Sequence, residues 1–533
     1  MSALTAVRHT AGSPLSVLAL TVAALLLAPL LYVVTLALSV DPAVWQRLWA
    51  TRIPELLTNT AWLAAGTALG TCLLGLSLAW IVVRYEFPGR RIWEWALVLP
   101  LAMPTYVLAY VYAHLASLGG PLDDLWQHFA GPQSHLPSPQ SLGGTTLVMT
   151  LATFPFVYLL TRVALLNYNV SFDEVARSCN ASRLRRLFGV TLPLLRPAIV
   201  AGLSLVILYV VSDFGAVSLL RFQTLTYAVY QQMTGRYDAT AAGALSLLLV
   251  IFALLFFAAE RWFRQRSRFY QSSGRFRTWD RCRCGTGGTT LILLYLGLVL
   301  GAAFLVPAGL LVKWSLSAIA QHAVDQRFWG FAGNSMMLSG LAATVAVLLG
   351  TPLASLASRK PSRVNLFCLQ AAYAGYVVPG PVGALALLVL CLHFAPWWYG
   401  TAVIVVLAYV IHFLPAGLQS LEPAFQQINP NIEEAARSLG LNVWQALRRV
   451  TLPLIKNGFL AAWVLMFLQS MKELPATLLL RPVGFDTLAV RVWLEASEEY
   501  YQLAAPAALL IVLLALPALW LLVARDWRAS MRT

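Results

Sequence analysis

Charged residues are scarce in this sequence. They make up 11% of its 533 residues, whereas ordinary soluble domains carry about a quarter. Hydrophobic residues reach 59%, and they come in long uninterrupted runs. A soluble protein could not cover that much apolar surface with so few polar groups. The shortage of charge therefore excludes an ordinary soluble domain and indicates a protein of the lipid bilayer.

Motifs for catalysis and nucleotide binding are also missing. The sequence has no Gly-Lys dipeptide and so lacks the G-x-x-x-x-G-K-[ST] loop that cradles phosphates. Its histidines show no metal-ligand spacing such as H-E-x-x-H, and its six cysteines suggest no disulfide framework. Cys282 and Cys284 form a C-x-C pair, which offers too few ligands for a metal site. We therefore expect a chain that is not an enzyme, binds no cofactor itself and holds no metal site.

Twelve apolar runs are long enough to cross a bilayer, for which about 20 residues suffice. Backbone polar groups in lipid must be bonded within their own segment, so the runs predict helices and an all-α membrane protein. The first run is longer than the apolar core of a signal peptide, and we interpret it as a helix that is retained. The predicted spans are 15–38, 60–83, 95–116, 145–166, 197–219, 241–259, 290–312, 335–357, 366–392, 400–420, 457–479 and 503–524.

The basic residues are unevenly distributed between the two sides of the membrane. Twelve spans put both termini on one side, and 28 of the 37 Lys and Arg residues fall there. By the positive-inside rule that side is the cytoplasm. Topology thus explains the net charge of +15, and we expect no nucleic-acid partner.

The second part of the chain repeats the first. Residues 174–180 read Glu-Val-Ala-Arg-Ser-Cys-Asn and residues 434–440 read Glu-Ala-Ala-Arg-Ser-Leu-Gly, an offset of 260. Earlier pairs, such as Asn59 with Asn334, are 275 apart, and the offset changes in the loop 117–143. Each repeat has six spans, so the two repeats have the same orientation in the membrane. We predict a first half at 1–264, a basic cytoplasmic linker at 265–289 and a second half at 290–533.

One cytoplasmic segment in each repeat has the pattern of two short helices joined by a turn. Ser171 with Glu174, and Asn431 with Glu434, have the spacing of a helix N-cap and its partner in a capping box. Gly440 can adopt a left-handed conformation that ends the first short helix, and the asparagine at the matching place tolerates it too. A proline is expected to stop the second short helix before the next span.

The pattern Glu-Ala-Ala, three residues, Gly, nine residues, Ile or Val-x-Leu-Pro resembles the coupling loop of ABC importer permeases. The second copy matches at every position, whereas Val175 and Asn180 depart from the pattern in the first. The resemblance implies a type I ABC importer permease fold in a bacterial inner membrane. It also implies two copies of a cytoplasmic ATPase at the loops 171–196 and 429–456, which alone use ATP and Mg²⁺. The residues that it assigns to these ATPase-coupling loops are Glu174, Val175, Ala176, Asn180, Val190, Leu192, Pro193, Glu434, Ala435, Ala436, Gly440, Val450, Leu452 and Pro453.

The layout of two fused halves, with the segments 211–219 and 471–489, is most similar to the iron(III) importers of that superfamily. We therefore expect a permease for iron(III) delivered by a periplasmic binding protein. Thiamine and phosphonate permeases of similar build leave the substrate open. A secondary transporter driven by an ion gradient is another alternative. The outer loop 486–501, which is rich in Asp, Glu and Tyr, is either a docking surface for the binding protein or a plain solvated loop.

Ionisable residues within spans mark functional sites by default. Asp213 and Glu473 lie at matching positions near the outer ends of their spans, and Lys472 adjoins Glu473. These three residues are therefore candidates for the translocation path, and the two acids carry the carboxylate oxygens that a hard trivalent cation prefers. Alternatively, the two acids pair with an arginine or cap helix breaks at Gly215 and Pro475.

Overall fold

The computed structural model describes residues 14–236, 238–265, 281–322, 324–359, 362–373, 375 and 378–530. The helices of the first repeat are α1 (Pro14–Leu38), α2 (Pro42–Thr51), α3 (Ile53–Arg84), α4 (Arg90–Ala96), α5 (Thr105–Leu115), α6 (Pro121–Ala130), α7 (Leu142–Leu166), α8 (Ser171–Ser178), α9 (Arg183–Arg186), α10 (Leu192–Ser212), α11 (Gly215–Leu219), α12 (Leu225–Thr234) and α13 (Ala239–Gln265). Those of the second repeat are α14 (Thr286–Leu300), α15 (Val306–Ala320), α16 (Gln326–Arg359), α17 (Arg363–Tyr373), α18 (Gly380–Phe394), α19 (Ala402–Gln426), α20 (Pro430–Ser438), α21 (Val443–Ala446), α22 (Leu452–Met471), α23 (Pro475–Leu480), α24 (Leu488–Ser497) and α25 (Tyr501–Ser530). Short 3-10 turns (Leu99–Ala102, Pro396–Trp398), π-turns (Leu187–Thr191, Gly301–Leu305, Leu447–Thr451) and the strands β1 (Tyr85–Glu86) and β2 (Cys282–Arg283) complete the described elements.

Most of the predicted spans are long helices. Within the described ranges, ten helical segments are long and apolar enough to cross a membrane, and Arg90–Ala102 with Thr105–Leu115 forms an eleventh as a pair bent by 91°. The predicted span 366–392 contains α17 and the shorter apolar helix α18. The all-α membrane class is therefore confirmed, while the count of twelve spans stays a prediction.

The third predicted span, 95–116, is broken rather than continuous. Met103 is extended, and Pro104 leads into α5 with φ −61° and ψ 144°. Proline lacks an amide hydrogen and disfavours a helical residue before it, so the chain turns at this point. Pro379 precedes α18 with nearly the same angles, φ −58° and ψ 145°. Both repeats therefore place a proline-led helix at the matching position.

The first helix of each repeat packs against the other repeat. Helix α1 contacts α16, α17 and α18. From the start of the second repeat, the Tyr295 hydroxyl lies 2.7 Å from Ser77 Oγ, and the Ala302 carbonyl accepts the Tyr112 hydroxyl at 2.8 Å. Ala302 belongs to a π-turn, where the regular pattern of helical hydrogen bonds is disturbed. The Tyr112 hydroxyl gives the Ala302 carbonyl a hydrogen-bond donor, which lipid could not. The two repeats are consequently packed against each other, and the hydrophobic clusters contain residues of both.

Small residues let α3 and α7 approach each other closely. A Cβ at Gly75 would lie 2.8 Å from Val157 Cβ and 2.9 Å from the backbone nitrogen of Tyr158. A Cβ at Gly70 would lie 2.6 Å from Thr150 Oγ1. Helices in lipid associate through such close packing because no hydrophobic force drives them together. These glycines therefore fix the position of α7, the span that leads into the first short-helix segment.

The junction between the repeats is only partly described. Residues 266–280 of the predicted linker 265–289 lie outside the described residues. After them, β2 pairs in parallel with β1, and Arg281 lies 3.3 Å from the Glu86 carboxylate. Helix α14 then begins at Thr286, slightly ahead of the predicted boundary. The second repeat thus begins next to the C-terminal end of α3.

The long loop 117–143 is folded around one carboxylate. Asp123 is buried, and its oxygens accept the amides of Leu136 at 2.9 Å and Gly119 at 3.2 Å. The His135 ring lies 3.0 Å from the same carboxylate. The Leu136 amide and the His135 ring hold the pKa of the Asp123 carboxyl well below its usual range. This loop is therefore an ordered element.

Candidate functional site

The two short-helix segments begin in the same way in both repeats. The Asn169 side chain accepts the amide of Ser171 at 3.1 Å, at the start of α8. The Asn429 side chain accepts the amide of Asn431 at 3.0 Å, at the start of α20. The predicted capping boxes are therefore wrong, because their supposed caps Ser171 and Asn431 already lie in the helices. Asparagines two residues earlier bond the free first-turn amides instead.

The turn after each first short helix is left-handed, as predicted. Asn180 has φ +57° and Gly440 has φ +90°. The amide of the next residue returns to the Ala176 carbonyl at 3.0 Å in one repeat and to the Ala436 carbonyl at 3.2 Å in the other. These are the bonds of a Schellman motif, which satisfies the last carbonyls of a helix. Asparagine in place of glycine therefore preserves the turn.

The second short helix of each segment continues into the following span. Helix α9 passes through the π-turn Leu187–Thr191 into α10, and α21 passes through Leu447–Thr451 into α22. Pro193 and Pro453 lie in the first turn of these long helices, so the prediction that proline stops the short helix is wrong. Proline is tolerated there because it closely follows the π-turn, where the regular ladder of helical hydrogen bonds is already interrupted. A force on either segment would be carried directly into a span.

The first segment presents apolar side chains beside a carboxylate. Glu174 is exposed, Val175 is 62% exposed and Phe188 is 66% exposed. The Asp173 carboxylate and Arg186 Nη1, 2.8 Å apart, join the two short helices. A rigid surface of apolar and charged groups suits a protein partner.

The second segment has the same backbone. The side chain of Glu434 lies outside the described residues, while Ala435 is exposed and Ala436 is buried. The other predicted residues are Val190 and Val450, which lie in the π-turns, and Leu192 and Leu452, which begin the long helices.

Asp213 and Glu473 each cap a helix break. The Asp213 carboxylate accepts the Thr105 hydroxyl at 2.9 Å and the amide of Ala216 at 3.1 Å. The Glu473 carboxylate accepts the amide of Ala476 at 3.2 Å. The capping alternative is thereby confirmed. Among the residues that the structure describes, no group of three His, Cys, Asp or Glu side chains could hold a metal ion.

The two breaks use complementary residue pairs. Thr105 and Gly380 occupy matching places, 275 residues apart. Thr105 bonds Asp213, whereas a Cβ at Gly380 would lie only 3.3 Å from Glu473 Oε1. The longer glutamate thus fills the space that threonine takes in the other repeat, and both carboxylates remain buried.

Lys472 links the repeats within the membrane region. Its Nζ donates to the carbonyl of Leu101 at 2.5 Å. Leu101 lies in the 3-10 turn before the proline break, where the helical ladder is interrupted. A half-buried ammonium needs such an acceptor. The matching residue of the first repeat is Ser212, so its side chain cannot supply the same cationic link.

A cavity of about 770 Å³ lies between the repeats. Its lining includes Arg221 and Tyr230 of the first repeat and Trp493, Glu499 and Tyr501 of the second. The Trp493 and Tyr230 ring centroids are 5.9 Å apart. The volume is that of a small-molecule site. The sequence alone did not predict this cavity, because its lining comes from segments far apart in the chain.

A family model for the inner membrane component of binding-protein-dependent transport systems matches residues 71–269 and 328–529. The chain belongs to this family. Each match contains one short-helix segment and one of the two acids that cap a helix break, so the family domain occurs twice in one permease chain. Such a permease is a multi-pass inner-membrane transport component, and it operates with a binding protein.

Two relatives of this permease match it over most of its length, and a third matches less than half of it. The Fe(3+)-transport system permease protein FbpB 2 of Haemophilus influenzae is 31% identical over 489 residues, which cover 91% of this chain and 93% of the relative. The ferric transport system permease protein FbpB of Actinobacillus pleuropneumoniae is 23% identical over 487 residues, covering 87% and 70%. The sulfate transport system permease protein CysT of Escherichia coli is 27% identical over 226 residues, covering 40% and 78%.

Several contacts of this permease were not predicted from its sequence. The caps Asn169 and Asn429 carry a detectable signal, since they are 260 residues apart like the rest of the segment. The partners Thr105 and Leu101 carry none, because they lie far along the chain from Asp213 and Lys472.

Proposed function

We propose that this chain is the translocation subunit of an ATP-driven importer that moves iron(III) delivered by a periplasmic binding protein. The similarity to an Fe(3+)-transport permease over 91% of the chain supports this substrate. Sulfate permeases match a smaller part of the chain, so they support the class of transport more than the cargo.

Twelve spans form two parallel six-helix halves of the type I importer fold, at 1–264 and 290–533. The long helices and the bent pair supply eleven of these spans, and α17 with α18 supplies the remaining one. The concentration of 28 of the 37 basic residues on one side supports the placement of both termini in the cytoplasm.

The observation that carries the proposal is the duplicated short-helix segment. Both copies have an asparagine cap, a left-handed turn and an uninterrupted path into a span. Two copies of a cytoplasmic ATPase bind these coupling loops, 171–196 and 429–456, one copy at each. ATP and Mg²⁺ stay on the ATPase, whose closure moves both loops and rocks the halves between inward and outward access.

The path runs between the halves at the two helix breaks. Asp213 and Glu473 are buried there, and Lys472 spans the interface to Leu101. These three residues line the path, where the two carboxylates offer oxygen ligands to a passing cation. The bond from Lys472 must break when the halves separate, so it opposes opening until ATP is bound.

The test is uptake of radioactive iron(III) by cells that express the complete transporter. Glu174→Lys with Glu434→Lys should abolish uptake without loss of membrane insertion, because both docking surfaces then carry the wrong charge. Gln426→Lys, a charge added just before the second loop, is the matched control and should transport normally. Normal uptake in the double variant would refute the coupling assignment.

Two further experiments test the identity of the substrate and the source of energy. Parallel uptake of thiamine, a phosphonate and sulfate identifies another cargo if iron(III) fails. Transport in vesicles that contain ATP but have no ion gradient is expected, and its absence would favour a secondary transporter.

A further inference from the structure

Two charged residues occupy backbone positions that favour glycine. Arg221 has φ +53° and Glu499 has φ +66°. Each follows the end of a helix, and the next amide returns to the helix, from Phe222 to the Val217 carbonyl and from Tyr500 to the Glu495 carbonyl. Glycine is usual at this place in a Schellman motif, because residues with a Cβ are strained there. The side chains of Arg221 and Glu499 therefore serve something other than the turn.

The two side chains meet each other across the two repeats. Arg221 Nη2 lies 3.5 Å from Glu499 Oε1, and both residues line the 770 Å³ cavity. Their side chains are 60% and 65% exposed, so the ion pair is weak. A weak pair is suited to a contact that breaks and reforms in every transport cycle.

The pair has no counterpart on the other side of the pseudo-symmetry axis. Arg481, which matches Arg221, forms an ion pair with Asp486 of its own repeat. The helices Leu225–Thr234 and Leu488–Ser497 match at an offset of 263, so the residue matching Asp486 is Gln223, and Arg221 has no acid at that place. The residue matching Glu499 is Arg236, so it offers Arg481 no carboxylate. One arginine is thus used within a repeat and the other between repeats.

We propose that Arg221 and Glu499 are positioning residues that form a one-sided latch at the outer mouth of the cavity. The latch holds the two halves together in the resting state and opens when they rock apart. The orientation of this mouth rests on the function and topology proposed above.

The test measures access to the cavity from outside the cell. A cysteine placed at Gln231, which lines the cavity, is labelled by a membrane-impermeant maleimide in intact cells expressing the complete transporter, with the native cysteines replaced. Arg221→Gly and Glu499→Gly relieve backbone strain at these turns. If the two residues only shaped their turns, labelling would therefore stay at the wild-type rate or become slower. The latch predicts labelling about twofold to fivefold faster in either variant, as expected for loss of an exposed ion pair, and no faster in both combined.

Charge exchange and a matched control complete the experiment. The double variant Arg221→Glu with Glu499→Arg should return labelling to the wild-type rate, since the pair reforms with opposite signs. Asp486→Asn, which removes the ion pair within one repeat, should leave the rate unchanged. Equal labelling in all variants, or no rescue by the exchange, would overturn the latch. Labelling only after permeabilisation would instead overturn the proposed topology.

Discussion

The left-handed turn of the second short-helix segment gives a sharp test, because a substitution there changes the backbone without a packing clash. A Cβ added at Gly440 would meet nothing within 4 Å, so Gly440→Ala introduces no clash. With φ at +90°, however, a residue with a Cβ pays roughly 1–2 kcal/mol for the left-handed conformation. That free energy corresponds to about a 5- to 30-fold larger population of the opened turn.

The assay is hydrogen exchange of the Leu441 amide, which donates to the Ala436 carbonyl at 3.2 Å in the closed turn. We expect exchange in Gly440→Ala to accelerate by about the same 5- to 30-fold, since exchange follows local opening. The matched control is Asn180→Gly in the first segment, where φ is +57° and glycine removes strain. Exchange of the equivalent amide there, that of Ala181, should slow or stay unchanged. Unchanged exchange in Gly440→Ala would refute the reasoning that this backbone angle holds the loop in shape.

Three further predictions concern helix packing, the proposed translocation path and the loop 117–143. Gly75→Ala should destabilise the purified transporter by about 1–3 kcal/mol and lower its melting temperature more than Gly350→Ala does. The Cβ added at Gly75 meets Val157 at 2.8 Å, whereas the Cβ added at Gly350 meets only the end of a leucine side chain at 3.2 Å. Equal losses would contradict the close-packing argument. Lys472→Ser removes a charged hydrogen bond worth about 1.5–3 kcal/mol. Because this bond is proposed to hold the halves closed until ATP is bound, its loss should raise the number of ATP molecules hydrolysed per ion transported. An unchanged ratio would contradict this role of Lys472. Because the pKa of Asp123 is lowered on folding, its stabilisation is present above about pH 4 and lost as pH falls through the folded-state value. Asp123→Asn should therefore let a protease cut the loop 117–143 faster at neutral pH, and an unchanged rate of cleavage would contradict this.

The sequence predicted most of the membrane spans and the duplicated segments because these features depend on local composition and on comparison of the chain with itself. The left-handed turns at Asn180 and Gly440 are of this kind, since the residue types tolerate that conformation. The breaks were harder to predict. Pro104 and Pro379 were visible as a matched pair, but an apolar run does not reveal that a span bends inside it.

Long-range polar contacts could not be predicted from local patterns at all. Asp213 was recognised as unusual because it is an acid in an apolar run, yet its partner Thr105 lies 108 residues away and looks ordinary. Likewise, the link from Lys472 to Leu101 uses a backbone carbonyl, which every residue has. Buried polar groups need partners, but the sequence does not say where the fold supplies them.

Comparison of the two repeats separates what each half needs from what the pair needs. Features that shape one half occur in both copies: the capping asparagines, the left-handed turns, the proline-led helices and the capped acids. Two polar contacts that cross between the halves break the symmetry, since Lys472 matches a serine and Glu499 matches an arginine. A contact on a two-fold axis would have to serve both copies at once, whereas an off-axis contact is free to exist once. The residues that differ between the repeats are therefore the better guide to how the halves move against each other, and the residues that agree are the better guide to how each half is built.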